Sequence, residues 1–426
     1  MTLKKKPTTG MRDILPREME IREYVLDMIR KTYKSFGFDQ IETPCVEPIE
    51  NLTGGHGGEN EKLIFKILKR GEKLRLAEAK EEADLVDGGL RFDLTVPLVR
   101  YYSNNSAELS SPFKAMQLGN VWRADRPQRG RFRQFMQCDI DILGEASNLA
   151  EIELILAMTT LLGKLDFKNF TIRINDRRLL KGIAKYCGFN EDQYDDVFIV
   201  LDKMDKIGAD GVKEELLSAG YAQDAVDKCM SIFAAQDLSE GADGVGAIGL
   251  DRLSDLASTL GDSLEEGVSD NLSEIMSVAA DSSATEFKIL FDPTLVRGMS
   301  YYTGPIFEIA MDEYGGSVGG GGRYDTMVGR FTGQDTPACG FSIGFERISM
   351  LLMERGYQIP SESKKVAFLI DKKCTADQVR TSIDQANKLR AEGAHVSVMR
   401  MKKNKKFQKD QLTEQGFNDI REVFND

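Results

Sequence analysis

Residues 119–141 read G-N-V-W-R-A-D-R-P-Q-R-G-R-F-R-Q-F-M-Q-C-D-I-D. Five arginines (Arg123, Arg126, Arg129, Arg131, Arg133) crowd this stretch in a chain whose net charge is −12. Apolar residues flank it on both sides, which predicts a strand, a basic turn and a returning strand. A hairpin tipped with arginines clamps anions, because guanidinium forks match phosphate oxygens two at a time. On the returning strand Gln137, Asp139 and Asp141 alternate, so their side chains share one face. A phosphate clamp beside a polar row points to a site that joins a nucleotide to a polar small molecule. A bare charge run taken alone is more often a solvated loop, so the rest of the chain has to decide.

With 426 residues, 41% hydrophobic and 29% charged, the chain is expected to be soluble and globular with two or three domains. The most apolar run, L-A-E-I-E-L-I-L-A-M-T-T-L-L, carries two glutamates and is not a membrane span. The basic N-terminus lacks the apolar core of a signal peptide. Cys45, Cys138, Cys187, Cys229, Cys339 and Cys374 form no C-x-x-C pair, which predicts reduced thiols in a cytoplasmic protein, with no protein metal site. The chain has two histidines. His56 sits in a glycine-rich loop and His395 at a strand start, and neither is given a catalytic role. Overall acidity argues against nonspecific coating of nucleic acid but leaves room for a local basic surface.

Toward the N-terminus, Ile21, Tyr24, Val25, Met28, Ile29 and Phe36 recur at helical spacing up to Gly37. F-D-Q-I-E-T-P-C-V-E-P (38–48) is extended but broken by Pro44 and Pro48, so it belongs at a sheet edge or a subunit contact. L-I-F-K-I-L (63–68) predicts a strand, and the charged run 70–87 a solvated loop. In R-F-D-L-T-V, Arg91, Asp93 and Thr95 alternate with Phe92, Leu94 and Val96, as on one strand face. Toward the C-terminus a helix is expected over 148–163, opened by Asn148 with Glu151. Next comes a strand through Phe170, Ile172 and Ile174. Residues 176–284 are polar, acidic and helical without notable strand runs, which predicts a helical insertion. G-G-S-V-G-G-G-G-R-Y-D (315–325) has a linker's composition. It is pinned between a strand and Arg-Tyr-Asp, where glycines let the backbone approach a ligand. Arg347 falls in the first turn of a helix, where free amides favour an anion; the alternative is an ordinary surface arginine. From 364 two strands, V-A-F-L-I and V-S-V-M, bracket a helix capped by Thr375 with Gln378. Lys402, Lys403, Lys405, Lys406 and Lys409 follow, as a solvated face or an RNA-backbone contact.

In order, the Pro44 region, the Arg123 hairpin and the Arg347 helix resemble motifs 1, 2 and 3 of class II aminoacyl-tRNA synthetases. L-V-R-G-M-S-Y-Y-T-G (295–304) and G-G-G-R-Y-D (320–325) resemble histidyl-tRNA synthetases within that class. So do G-M-R-D-I-L-P (10–16), R-F-D-L-T-V-P (91–97), R-P-Q-R-G-R-F-R-Q-F (126–135) and T-P-A-C-G-F-S-I-G-F-E-R (336–347). The resemblance covers nearly the whole chain.

It implies an α+β fold with a class II catalytic domain, an antiparallel sheet flanked by helices, in 1–175 and 285–360. A helical insertion would occupy 176–284, and a short α/β domain that binds the anticodon 364–426. It implies a histidine–tRNA ligase that uses ATP and Mg²⁺, with tRNA(His) as partner, and a cytoplasmic homodimer. Arg123, Arg297 and Arg347 would be catalytic, at the α-phosphate, the reacting carboxylate and the γ-phosphate. Asp125 and Phe135 would join Arg123 and Arg347 at ATP. Asp93, Thr95 and Gln137 would hold the α-amino group of histidine, and Asp141 and Tyr302 its imidazole, with Tyr301 and Tyr324 nearby. Gln128 and Arg129 would meet the tRNA acceptor end. The chain departs from the family pattern at Ser300, where Asp is usual, and in its short C-terminal part. A histidine-sensing paralogue, of the ATP phosphoribosyltransferase regulatory type, is the alternative. Retention of Arg123, Arg297 and Arg347 favours the enzyme. The two histidyl stretches disfavour another class II specificity, and class I signatures do not occur.

Overall fold

The structure is a computed structural model and describes residues 4–53, 60–234, 244–296, 301–360 and 364–425. The chain divides into two compact units, Met1–Ile14 with Arg22–Arg355, and Leu15–Ile21 with Gly356–Asp426. Twelve strands belong to the first unit: β1 (Asp39–Ile41), β2 (Val46–Pro48), β3 (Lys66–Leu68), β4 (Val86–Leu90), β5 (Phe113–Trp122), β6 (Gln134–Leu143), β7 (Phe170–Asp176), β8 (Gly246–Ile248), β9 (Lys288–Phe291), β10 (Pro305–Met311), β11 (Gly316–Arg323) and β12 (Ala338–Ile343). Nine of them form one sheet in the order β1-β5-β6-β12-β11-β10-β7-β9-β8. The centre, β5 to β7, is antiparallel. Both edges are parallel, β1 on β5 and β9 with β8 beyond β7. The proline-broken segment lies at edges as its missing amides require: β1 ends the large sheet and β2 ends a small one, β2-β4-β3.

The hairpin of residues 119–141 forms as its pattern predicts. Strands β5 and β6 pair from Phe113↔Leu143 to Trp122↔Gln134, and the basic residues make the loop between them. The helix Leu149–Lys164 is apolar on nearly all sides, with Leu154, Ile155, Met158, Leu161 and Leu162 fully buried. Such a helix has to lie inside the protein, and it packs between β12 and the helix Val268–Ser282. The proposed Asn148 cap does not form, since the side chain accepts no capping bond. Glu151 is taken by a stronger partner: Arg323 Nε and Nη2 donate to its two oxygens at 2.6 and 2.7 Å. Arg323 also donates to the carbonyls of Glu145 and Ser147, so the Arg-Tyr-Asp at the end of β11 is a buried tie.

Two further readings are corrected. Residues 91–94 are not strand: β4 stops at Leu90 and a helix, Thr95–Asn105, begins at once. Arg91 turns inward to bind the carbonyls of Thr43 and Asn120 at 2.7 and 2.9 Å. Asp93 Oδ1 accepts the Val96 amide at 3.2 Å. Backbone donors at the start of a helix outcompete the extended alternation. The 176–284 region is mostly helical but supplies β8, three residues too short to show a period. In the second unit β13 (Lys365–Ile370) lies between β14 (His395–Arg400) and β15 (Asp419–Val423), all parallel. The Thr375–Gln378 capping box is present. The third strand, D-I-R-E-V, was not expected, because its charges hide the alternation. Among the described residues no helix is long and apolar enough to cross a membrane, and all six cysteines are free.

The Arg323→Met protein keeps the Glu151 carboxylate buried without its partner, so it should lose about 3–5 kcal/mol. Urea unfolding should show the double variant Arg323→Met, Glu151→Met recovering a large part of that loss.

Candidate active site

The face of β6 that carries Gln137, Asp139 and Asp141 lines a cavity of about 400 Å³. Its floor is the glycine strand, Gly319 to Gly322 on β11 with Gly340 on β12. The run that composition alone would make a linker is therefore a strand without side chains. A Cβ on Gly321 would stand 1.9 Å from the Gly340 carbonyl oxygen, and one on Gly340 would stand 2.0 Å from Asp141 Oδ1. Neither position has room for any side chain, and the backbone itself forms the surface a ligand meets.

One end of the cavity is acidic. Asp93, Asp139 and Asp141 are all at least 96% buried. Burial pushes the Asp139 carboxyl up to about 7, with the charge of Asp93 adding to the rise; Ser342, Gln137 and Arg123 oppose it. Burial also raises Asp93, against the pull of Arg123, and raises Asp141 well above its ordinary range. Tyr324 donates to Asp141 Oδ1 at 2.6 Å. Tyr301 stands against Tyr302 at 4.9 Å between ring centres and edge-on to Tyr324 at 6.2 Å. Asp93 Oδ2 and Gln137 Oε1 are buried acceptors with no partner among the described residues. Buried acceptors without donors are costly, so this end is built for a cationic donor.

The other end is basic. Arg123 lies over Phe135, 5.3 Å from the ring centre, and donates from Nε to the Phe92 carbonyl at 2.8 Å. Arg123 is also part of the cavity lining. Arg347 follows the turn into the helix Phe345–Glu354, donates to the Ser317 carbonyl and rests 5.2 Å from the Tyr314 ring centre. Its neighbour Glu346 holds the frame together. Both Glu346 oxygens accept from Arg22, at 2.6 and 2.9 Å, and Oε1 also accepts the Met136 amide at 3.2 Å. A cation-seeking end beside an anion-seeking end fits a small ammonium-bearing molecule set against a phosphate chain. Among the described residues no cluster of three or more His, Cys, Asp or Glu side chains is disposed to hold a metal.

Asp93, Thr95, Arg123, Asp125, Phe135, Gln137, Asp141, Tyr301, Tyr302, Tyr324 and Arg347, named from distant segments, all line this one cavity. Gln128 and Arg129 are not in its wall. Gln128 closes the loop by pairing with Arg131, and Arg129 Nη2 binds Glu354 at 2.7 Å. Arg297 and Ser300 lie outside the described residues, as does His56. His395 opens β14 and meets the Phe417 ring edge-on. Asp139 was named only as part of the polar row, and three contributors were not singled out: Ser342, Glu346 and Arg22. Glu346 precedes Arg347. Nothing local marks Arg22, whose partner is 324 residues away.

The histidyl-tRNA synthetase family model matches residues 10–348. A histidine–tRNA ligase of Leifsonia xyli is 47% identical over 363 residues, covering 81% of this chain and 80% of that protein. A probable histidine–tRNA ligase of Tropheryma whipplei is 43% identical over 86% of this chain and 84% of its own length. Among solved structures, the histidyl-tRNA synthetase of Nostoc is 28% identical, with a TM-score of 0.76 over 98% of this chain and 90% of that one. An ATP phosphoribosyltransferase regulatory subunit/histidyl-tRNA synthetase of Bacillus halodurans also has a TM-score of 0.76, at 19% identity over all of both chains, a likeness of fold alone.

The raised Asp139 carboxyl has a cost that depends on pH. Between the ordinary carboxylate range and about pH 7 the unfolded chain releases a proton that the folded chain keeps, so stability falls as pH rises through that window. Asp139→Asn removes this loss. Thermal unfolding should show the variant more stable than the parent at pH 8, by up to an order of 4 kcal/mol, with the advantage shrinking toward pH 4.

Proposed function

The chain belongs to the histidyl-tRNA synthetase family, and on that premise we propose that it is a histidine–tRNA ligase whose active site is the cavity between β6, β11 and β12. The observation that carries the reading is one cavity lined by Asp93, Gln137, Asp141 and the tyrosines at one end and by Arg123 and Arg347 at the other. Histidine brings an ammonium and an imidazole to the acidic end, and ATP brings its phosphates to the basic end.

The first step forms histidyl-adenylate. The histidine carboxylate oxygen attacks the α-phosphorus and pyrophosphate leaves. The carboxylate is already ionised at neutral pH, so no general base is needed; positioning and charge stabilisation carry the rate. Arg123, fixed by the Phe92 carbonyl, faces the α-phosphate, and Arg347 the γ-phosphate. Arg297, assigned from R-G-M-S-Y-Y, neutralises the reacting carboxylate and α-phosphate. Phe135, under Arg123, stacks on adenine, with Asp125 beside it. Asp93, Thr95 and Gln137 hold the ammonium. Asp141 and Tyr302, with Tyr301 and Tyr324, hold the imidazole, whose two nitrogens need different partners.

In the second step a hydroxyl of the terminal ribose of tRNA(His) attacks the activated carbonyl carbon, forming the ester as AMP leaves. Gln128 and Arg129 sit on the exposed hairpin loop, where the acceptor end would approach. The donor chemistry fits a Mg²⁺ that arrives with ATP: Asp125 and Glu308 line the cavity and would each offer it a carboxylate oxygen. The ion would supply neutralisation of the phosphate charge.

We assign the catalytic role to 1–175 with 285–360 and treat 176–284 as an insertion. The 364–426 unit, with its lysine-rich helix, would meet the anticodon arm. Half-exposed Val46 on the edge strand β2, next to the Pro44 segment, favours a homodimer through that edge. The free thiols fit a cytoplasmic enzyme.

Amino-acid-dependent pyrophosphate exchange tests the reading. Histidine alone among the twenty amino acids should support exchange, and histidine binding without exchange would replace the ligase by a sensor. Arg347→Ala should lower exchange on the order of 100-fold, chiefly through ATP, with histidine binding little changed. Excess chelator should abolish exchange.

A further inference from the structure

We propose that Asp139 is a positioning residue that sets which end of the Gln137 amide faces the amino-acid pocket, and so makes histidine capture depend on the ionisation of Asp139. The inference rests on the ligase reading above and adds to it a residue with no assigned role.

The geometry is local and one-sided. Gln137 Nε2 lies 3.1 Å from Asp139 Oδ2 and 3.5 Å from Oδ1. An ionised carboxylate only accepts, so it holds the NH₂ end of the amide and leaves the carbonyl end, Oε1, elsewhere. Oε1 is buried and without a partner among the described residues, as is Asp93 Oδ2, and both residues line the cavity. The pocket therefore presents acceptors to a substrate ammonium. A protonated Asp139 donates from one oxygen while the other still accepts, so it no longer holds the amide in one orientation and Nε2 is free to turn toward the pocket. An NH₂ group there opposes an ammonium.

The groups that face Asp139 fix where this switch lies. Asp141 on its own strand and Asp93 before the helix Thr95–Asn105 add negative charge. Arg123 at the end of β5 opposes them, and the Ser342 hydroxyl on β12 and the Gln137 amide hold the ionised form. Tyr33, from the helix Pro16–Ser35, and Cys138 are buried beside it and stay protonated, both raised well above their ordinary values. Burial dominates and pushes the Asp139 carboxyl up to about 7.

The test compares the wild type with Asp139→Asn in pyrophosphate exchange between pH 6 and pH 8. The wild-type KM for histidine should rise roughly tenfold from pH 8 to pH 6, the drop in ionised Asp139 expected for a midpoint near 7, beyond the slope from the substrate's own imidazole. In Asp139→Asn the KM for histidine should be raised already at pH 8 and should keep only the imidazole slope. The KM for ATP should be the same in both proteins. Imidazolepropionate, which lacks the ammonium, should inhibit both equally. Calorimetry on the wild type at pH 7, in buffers of different ionisation enthalpy, gives a measure independent of the variant. After subtraction of the protons each ligand's own imidazole loses on binding, histidine should release about half a proton more than imidazolepropionate as Asp139 ionises. Equal proton release by the two ligands, an unchanged histidine KM and pH slope in the variant, or parallel loss in the histidine and ATP constants would each overturn the role. A wild type with no histidine-dependent exchange would instead remove the ligase reading itself, and this inference with it.

Discussion

Three parts of the chain that are far apart in sequence meet on one carboxylate. Glu346 accepts a two-pronged bond from Arg22 on the N-terminal helix and the amide of Met136 on β6, while it opens the helix that carries Arg347. A buried ion pair of this kind adds little net stability, because both charges give up water to form it. Its effect is on geometry. Arg22 and Glu346 leave no tolerance for a shifted register between β6 and the Arg347 helix, since a displaced partner strands a charge in the interior. The spacing between β6 and the helix that carries Arg347 is thereby held to one value. Arg323 and Glu151 repeat the device under the other end of the glycine strand.

The second theme is charge left deliberately unbalanced. Three buried aspartates share one end of the cavity, and Arg123 tempers two of them, Asp93 and Asp139. Without a bound cation, burial and mutual repulsion keep protons on them at pH values where exposed carboxylates have none. The cavity thus stores an unfavourable interaction that a bound cation would relieve. The opposite end uses fixed donors: Arg123 and Arg347 are each tied to a backbone carbonyl, so they need not reorganise when phosphate arrives.

Much of this was legible before any coordinates. The hairpin, its loop of arginines and the shared face of Gln137, Asp139 and Asp141 follow from a strict two-residue period. The Thr375 cap follows from its Gln378 partner. Resemblance then gathered Asp93, Arg123, Tyr302, Tyr324 and Arg347 into one site, and all of them line the cavity. The failures have physical causes. Residues 91–94 alternate like a strand, but Asp93 captures the Val96 amide and starts a helix. Asn148 and Glu151 are spaced like a cap, but Arg323 holds the carboxylate more strongly than an amide would. Strand β15 carries half-buried charges that break any apolar alternation. Arg22 and Ser342 act through partners that only the fold supplies.

The glycine floor has a consequence for small molecules that compete for this pocket. A compound lying on β11 and β12 touches main chain, whose shape does not depend on which side chains are encoded. At Gly321 and Gly340 any replacement collides with the protein's own backbone or with Asp141 before it reaches the compound. Drug resistance through these positions is closed to a functional enzyme, and escape would have to come from the walls.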